Sequence, residues 1–457
     1  MTPIVTPEQM AAIDAAAPEP VEELIERAGR AVARSALAML GGSYGRVVTV
    51  LAGRGNNGAD GRTAARLLAA RGVKVRVVDA VMRPPVLPAC DLVIDAAFGT
   101  GFRGEWIAPE LTGTRGRRPL VLAVDIPSGV DALTGDAGAG VLRADRTVTF
   151  QALKPGLLFG AGRQHSGEIE VADIGLDVTD ADHHLIGVDD ALGWLPRRGA
   201  DAHKWNAAVR VVAGSRGMLG AGRLCAAAAA RTGAGLVTLS SPGIDPDARD
   251  EIVQRPIPAD GFDEDVLADL DRFASLVIGP GLGRDDATLV AVRRVIAEAA
   301  VPVVIDGDAI FASAWSADGP GPLLRERTLP TVVTPHDGEF ALLRGSPPGA
   351  DRVAATRALA DDLGCVVLLK GPTTVVAEPR RDRTGTAYLV DHGDERLATA
   401  GSGDVLAGMI GAALAAGVDP ARAAAAAAWL HADASRRGPS RGLLAGDIVD
   451  LIPLALA

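Results

Sequence analysis

The sequence predicts the α/β class: two three-layer domains, each a largely parallel sheet wrapped by helices. Three observations carry this. Short Val/Leu/Ile runs with buried-strand composition alternate with helix-length segments along the whole chain. Gly-, Asn- and Asp-rich turns sit where those strand runs end. At 457 residues the chain also exceeds one ordinary core, and the alternation restarts after the polar stretch Leu195–Asp201.

In the first half, Thr6 can cap a short helix through Met10 and Ile13, and Pro18-Glu19-Pro20 breaks it. Val21–Leu40 reads as a second helix, acidic early and closed by Gly41-Gly42. Arg46–Ala52, Val73–Val78, Leu92–Ala96 and Leu120–Asp125 read as strands, with Arg62–Arg71 a helix. In a parallel sheet, function belongs at the carboxyl ends of the strands. Three polar clusters fall there: Asn56-Asn57-Gly58-Ala59-Asp60, Asp95 with Gly99-Thr100-Gly101-Phe102-Arg103-Gly104-Glu105, and Asp125 with Ser128. Singly, each could cap a turn; together they define a site. Asn57, Asp95 and Ser128 offer hard oxygens, suited to a monovalent or divalent cation. Asp125 is the acid/base candidate. Lys154 reads as a surface turn lysine, and His183-His184 as a surface pair closing the first domain.

The second half opens with His203-Lys204-Trp205, the strand Val209–Ala213, a turn, and the small-residue helix Ala221–Arg231. Gly279–Gly283, the strand Val301–Asp306, Thr334–Glu339 and Val366–Leu369 with Lys370–Thr374 follow. Ala400-Gly401-Ser402-Gly403-Asp404 then opens an apolar helix that stops at Gly417. Free amides at a helix start favour an anion, and glycines let it approach, so this loop reads as a phosphate cradle with Asp404 as base. It also fits an ordinary capped helix, with Ser402 or Asp404 as N-cap.

The 46 basic and 57 acidic residues give a net charge of −11 without a basic run, which argues against nucleic-acid or membrane-surface binding. Cys90, Cys225 and Cys365 have no zinc or disulfide spacing. The first residues lack a signal-peptide pattern and no apolar run spans a bilayer, so a cytoplasmic protein is expected. The small-residue helices Ala221–Ala230 and Ala421–Trp429 could pack between subunits of a homo-oligomer.

The first half resembles the YjeF N-terminal family, the NAD(P)H-hydrate epimerases, through Leu24–Gly29, Gly53–Gly61, Phe98–Gly101, Asp125–Gly129 and Lys154–Gly156. The resemblance implies an epimerase domain over residues 1–182. Asn56–Asp60, Gly99–Glu105 and Asp125 would bind the hydrate, and Asn57, Asp95 and Ser128 would hold potassium. Ala59 replaces a glycine more usual in the family, and would be strained if its φ were positive.

The second half resembles the ribokinase-like superfamily and, within it, the NAD(P)H-hydrate dehydratases. The matching stretches are Gly279–Gly283, Thr334–Glu339, Lys370–Thr374 and Ala400–Asp404. This implies a ribokinase-like domain over residues 186–457, Rossmann-like as is the first. Ala221, Gly283, His336 and Asp404 would contact the hydrate. Lys370, Gly371, Pro372, Thr373, Thr374 and Gly403 would contact the nucleotide, with Asp404 catalytic. Magnesium would accompany ADP. The family's His-Lys-Gly appears as His203-Lys204-Trp205, which puts that corner of the site in question. The expected function is epimerisation of NAD(P)H hydrate followed by ADP-dependent dehydration of its S form. The alternative is a ribokinase-like small-molecule kinase carrying a non-catalytic nucleotide-binding module.

Overall fold

A computed structural model describes the chain apart from residues 316–318, 381–384 and the side chain of Arg115. Thr2–Asp182 and His183–Ala457 form two compact units. The first contains, in order, β1 (Thr2–Ile4), α1 (Pro7–Ala16), α2 (Val21–Leu40), β2 (Val47–Ala52), α3 (Asn56–Ala70), β3 (Lys74–Asp79), β4 (Leu92–Ala96), β5 (Leu120–Val124), β6 (Arg146–Phe150), α4 (Gly160–His165) and β7 (Glu168–Ala172). Thr6 caps α1 through a reciprocal capping box with Gln9. Helix α2 begins with Glu22 and Glu23, buries a stripe from Leu24 through Val32 to Leu40, and stops at the left-handed Gly41.

The first sheet runs β3-β2-β4-β5-β6-β7, every pairing parallel. Its register aligns Ala52 with Ala96 and Asp95 with Ala123. The loops after β2, β4 and β5 therefore leave one edge together, and they carry the three polar clusters. The strands β6 and β7 were not foreseen in the sequence.

The second unit contains β8 (His183–Leu185), α5 (Val188–Trp194), β9 (Ala208–Val212), α6 (Leu219–Thr232), β10 (Leu236–Ser241), β11 (Ile252–Pro256), α7 (Asp263–Leu267), β12 (Ser275–Ile278), α8 (Asp286–Glu298), β13 (Val303–Ile305) and α9 (Asp308–Ala314). It continues with α10 (Gly321–Arg325), β14 (Thr331–Val333), α11 (Asp337–Arg344), α12 (Arg352–Leu363), β15 (Val366–Leu369), β16 (Thr374–Ala377), β17 (Ala387–Val390), α13 (Ser402–Ala415), α14 (Pro420–Arg437) and α15 (Ala445–Ala455).

Its strands lie in the order β8-β17-β16-β15-β14-β13-β12-β9-β10-β11. Among the described residues of this unit, only β16 runs against its neighbours, β15 and β17. Val212, Ile278, Ile305 and Val333 come into register across adjacent strands. The turns at Gly279, Asp306 and Thr334 consequently exit side by side.

Two expectations are corrected here. The His183-His184 pair is not a surface end: it forms β8 beside β17, with His183 buried. The alanine-rich helices α6 and α14 spend their small residues inside their own unit, where Cys225–Ala229, Ala421 and Ala423–Trp429 are buried in one core. Helix α13 packs so closely on α6 that a Cβ at Gly408 would stand 2.1 Å from the carbonyl oxygen of Cys225. All three cysteines are buried, and burial pushes the Cys365 thiol up to about 12, so these thiols are inert. Among the described residues no helix is long and apolar enough to cross a membrane.

Candidate functional site

In the first unit a cavity of about 580 Å³ opens at the carboxyl edge of the sheet. Asn56, Asn57, Asp60, Gly99, Thr100, Gly101, Phe102 and Asp125 all line it. Gly58 and Ala59 belong to the first turn of α3 behind that wall, while Arg103, Gly104 and Glu105 are exposed on the loop beyond it. Ala59 is helical and is not among the residues with positive φ, so the missing family glycine costs no strain.

Lys154, expected on the surface, is 1% exposed and lines the cavity. Its ammonium lies 2.7 Å from Asp125 Oδ1 and donates to Thr149 Oγ1 and the Phe150 carbonyl, each at 3.0 Å. A buried ammonium needs such partners, and Asp125 supplies the charge. Asp125 itself has φ of 66°, a left-handed conformation uncommon outside glycine. That turn aims its carboxylate back toward Lys154 and Thr149, whose hydroxyl donates to it at 3.1 Å.

Beneath the cavity, Asp95 is fully buried and accepts from the Ser128 hydroxyl at 2.6 Å and the Ser128 amide at 3.0 Å. Burial raises its pKa against the pull of those hydrogen bonds. Both polar atoms of the Asn57 side chain are buried without a hydrogen-bond partner among the described residues. Asn57 stands against Gly99, one residue beyond Phe98, whose amide donates to the Ser128 hydroxyl at 2.9 Å. An orphaned amide oxygen with a buried carboxylate and hydroxyl in the same loops is a donor set that fits a potassium ion. Asp60, also buried, has its pKa raised to about 8 by burial and by the carboxylates of Asp125 and Asp14.

In the second unit, the predicted residues gather at the carboxyl edge around the amino end of α13. Gly401, at φ 90°, is the N-cap of that helix, so neither Ser402 nor Asp404 has that role. Ser402 instead donates to the Leu397 carbonyl at 2.8 Å. The Ser402 amide donates to the Thr399 carbonyl at 3.3 Å, while the amides of Gly403 and Asp404, in the first turn, precede any intrahelical acceptor. Asp404 lies in the first turn of α13, partly buried. Burial and the Asp306 carboxylate raise its pKa to about 7, against the opposing Lys370 ammonium.

Lys370 leaves the end of β15 and lies 2.8 Å from Asp306 Oδ1 and 3.7 Å from Glu339 Oε2. Burial works against its charge, but the two carboxylates outweigh it and its pKa is raised. A Cβ placed on Gly403 would meet Lys370 Nζ at 3.5 Å, so the ammonium and the α13 terminus face the same space.

His336 caps α11: its Nδ1 accepts the Gly338 and Glu339 amides at 3.0 and 3.2 Å. A ring that accepts at Nδ1 carries its proton on Nε2, which lies 3.6 Å from Glu339 Oε1. The Gly283 amide donates to Asp308 at 2.9 Å, fixing the Gly279–Gly283 loop to α9. Ala221 stands against the same loop, within 2.9 Å of a Cβ built on Gly281. Gly371, Pro372 and Thr373 form the turn between β15 and β16, and Thr374 opens β16.

Trp205 is not in this site. It precedes β9 at the amino edge of the sheet, edge-on to Phe273 and under the Arg272 guanidinium. A second cavity, of about 550 Å³, also lies at the amino edge beside Thr331 and Val366 and holds none of the predicted residues.

Sequence reasoning missed Asp14, Asp306, Asp308, Glu339 and His431. The acids after β13 look like ordinary turn caps in sequence. His431 is buried on α14, its Nε2 lacking a partner among the described residues; burial and Lys370 lower its pKa to about 4.

The largely parallel sheet, with glycine-rich turns and an acid in the first turn of α13 at its carboxyl edge, is that of a ribokinase-like unit, here joined to a Rossmann-like unit with its own carboxylate-lined cavity. A family model for NAD(P)H-hydrate dehydratase matches residues 209–453, and one for the YjeF-related protein N-terminus matches 21–90 and 79–156. A bifunctional NAD(P)H-hydrate repair enzyme of Moorella thermoacetica is 35% identical, over 95% of this chain and 92% of its own. Those of Mycobacterium tuberculosis (strain ATCC 25618 / H37Rv) and Escherichia coli are 38% and 34% identical, over 86% and 93% of this chain and 84% and 88% of theirs. The ADP/ATP-dependent NAD(P)H-hydrate dehydratase of Bacillus subtilis, co-crystallised with ATP and magnesium, is 28% identical at a TM-score of 0.50, over 59% of this chain and 96% of its own. The chain belongs to the bifunctional NAD(P)H-hydrate repair enzymes, with an epimerase and a dehydratase activity.

Proposed function

We propose that the second unit dehydrates the S epimer of NADH or NADPH hydrate using ADP, giving AMP and phosphate, and that the first unit interconverts the R and S epimers. Hydroxide is a poor leaving group, so phosphorylating the hydrate hydroxyl comes first. Asp404 takes the hydroxyl proton as its oxygen attacks the terminal phosphoryl group, and AMP departs. The amides of Gly401 and Gly403 and the Lys370 ammonium stabilise charge on the transferred group. Phosphate then leaves with its bonding pair, a proton is lost from the neighbouring ring carbon to solvent, and the double bond of the dihydronicotinamide returns.

Magnesium would travel with the nucleotide and offset its phosphate charge, with few ligands from the protein. Lys370–Thr374 would line the nucleotide, and Ala221, Gly283 and His336 the hydrate. In the first unit, Asn57, Asp95 and Ser128 would hold potassium, which supplies fixed positive charge beneath the hydrated nucleotide. We place the enzyme in the cytoplasm, acting on small molecules.

The observation that carries this reading is the placement of Asp404, with its pKa near 7, at the free amino end of α13 beside Lys370. The test follows NADH absorbance in an epimeric hydrate mixture with ADP, magnesium and potassium. Full recovery by the intact chain, none by Asp404→Ala, and a stall part-way by Asp125→Ala are expected. No recovery with ADP or ATP would overturn the reading.

A further inference from the structure

The cavity of the first unit holds four ionisable side chains whose surroundings differ sharply: Asp14, Asp60, Asp125 and Lys154. Arg54 completes the charged residues on its wall. Asp125 has the cation, with Lys154 Nζ at 2.7 Å and the Thr149 hydroxyl at 3.1 Å. Asp60, 7% exposed on α3, has neither a hydrogen-bond donor nor an ion-pair partner among the described residues. Asp14 projects from α1 at the open side of the same cavity.

We propose that Asp60 is a second catalytic residue of the epimerase, a neutral carboxylic acid that protonates the leaving hydroxyl while the Lys154-paired Asp125 acts as base. This rests on the epimerase reading above. Two carboxylates lining one cavity, one of them buried, cannot both ionise cheaply. The proton stays on the one without a cation, and the pair divides into an acid and a base. The raised pKa of Asp60, about 8, is the same asymmetry in numerical form, with burial first and the Asp125 and Asp14 charges after it.

The chemistry needs both roles. Hydration of an enamine double bond leaves the hydroxyl on the carbon bonded to nitrogen, and that carbon is the epimeric centre. Asp60 gives its proton to the hydroxyl oxygen. The C–O bond breaks, its electron pair departs with water, and the ring-nitrogen lone pair closes a C=N bond. Water then adds to the other face, the C=N pair returns to nitrogen, and Asp125 takes the proton released. The turnover leaves Asp60 ionised and Asp125 protonated, the state that runs the opposite epimer. Exchange with solvent resets it.

The test uses the full chain without nucleotide, so that the dehydratase is idle, and reads epimer exchange by NMR as a function of hydrate concentration and pH. Asp60→Asn keeps the shape and removes the proton. Its saturated exchange rate should fall by about 100-fold or more, the range that general acids contribute, with KM changed less than about threefold. The intact chain should lose rate as pH rises through about 8 as Asp60 ionises, and the residual rate of Asp60→Asn should lack that limb. Asp60→Glu, which restores an acid, should recover part of the rate and the limb.

Wild-type exchange by Asp60→Asn would overturn the proposal. So would a loss confined to KM, or an Asp60→Glu variant that binds hydrate yet is as slow as Asp60→Asn. Absence of exchange in the intact chain would instead refute the epimerase reading itself.

Discussion

The ammonium of Lys154 lies 2.7 Å from the carboxylate of Asp125, and the lysine is 1% exposed. Removing one partner of such a pair leaves a buried charge without compensation, which costs about 3–5 kcal/mol. Lys154→Met should therefore lower the unfolding midpoint of the first unit by several degrees. It should also abolish epimer exchange, because Asp125 loses the ammonium that orients its carboxylate at 2.7 Å in the cavity. Thermal unfolding and the exchange assay read the two effects separately. Lys154→Arg, bulkier in a closed site, should not rescue exchange.

Asp404 opposes stability to activity. Its pKa rises from 3.8 to about 7 in the folded protein, chiefly by burial and then by Asp306. Between those values the unfolded chain has already ionised this group while the folded one still holds the proton, so stability is lost as pH rises from about 4 to about 7. Asp404→Asn removes that cost. Its melting temperature should exceed the parent's at pH 8 and match it near pH 4, while dehydration falls to background. In the parent, dehydration should rise with pH through about 7 as Asp404 becomes a competent base. A melting temperature for Asp404→Asn that is unchanged at pH 8 would contradict this account.

Much of both sites was legible because parallel sheets collect function at one edge. Asn57 and Asp60 follow a strand run and Asp95 and Asp125 stand at the ends of two others, and the register of β2, β4 and β5 brings their loops together. What escaped depended on distant partners. Lys154 precedes Pro155-Gly156, a turn signal that says nothing of the carboxylate that draws it inside. Asp306 looks like any acid closing a strand until β13 and β15 set it beside Lys370. The Gly-Ser-Gly-Asp string allowed a Ser402 or Asp404 cap, and the choice fell on Gly401 because only that residue adopts the left-handed turn. Trp205 was weighed as part of the site through family resemblance, yet its place before β9 puts it on the other edge.

Asn57 offers a test of the cation. Its amide oxygen is buried without a partner among the described residues, and its side chain stands against Gly99. Epimer exchange should rise with potassium in the intact chain and lose that response in Asn57→Ala. Potassium should also raise the melting temperature of the intact chain, since an ion bound only by the folded state stabilises it. That shift should vanish in the variant. Identical potassium responses in both proteins would remove Asn57 from the ligand set.

Arg352 ties together the two loops of the dehydratase site. Its guanidinium forks the Asp337 carboxylate at 3.0 and 2.7 Å and donates to the Lys370 carbonyl at 3.0 Å. Asp337 follows His336, and Lys370 begins the loop assigned to the nucleotide, so one planar group sets the spacing between hydrate and nucleotide. Lysine can carry the charge but not the fork. Arg352→Lys should therefore raise the KM for ADP about tenfold, a loss of about 1.4 kcal/mol, with a smaller fall in kcat. Asp337→Asn should do the same, and the double variant should be little worse than either single one, because the three groups act as one unit. Additive losses in the double variant would mean that Arg352 meets the nucleotide directly and that its contact with Asp337 is incidental.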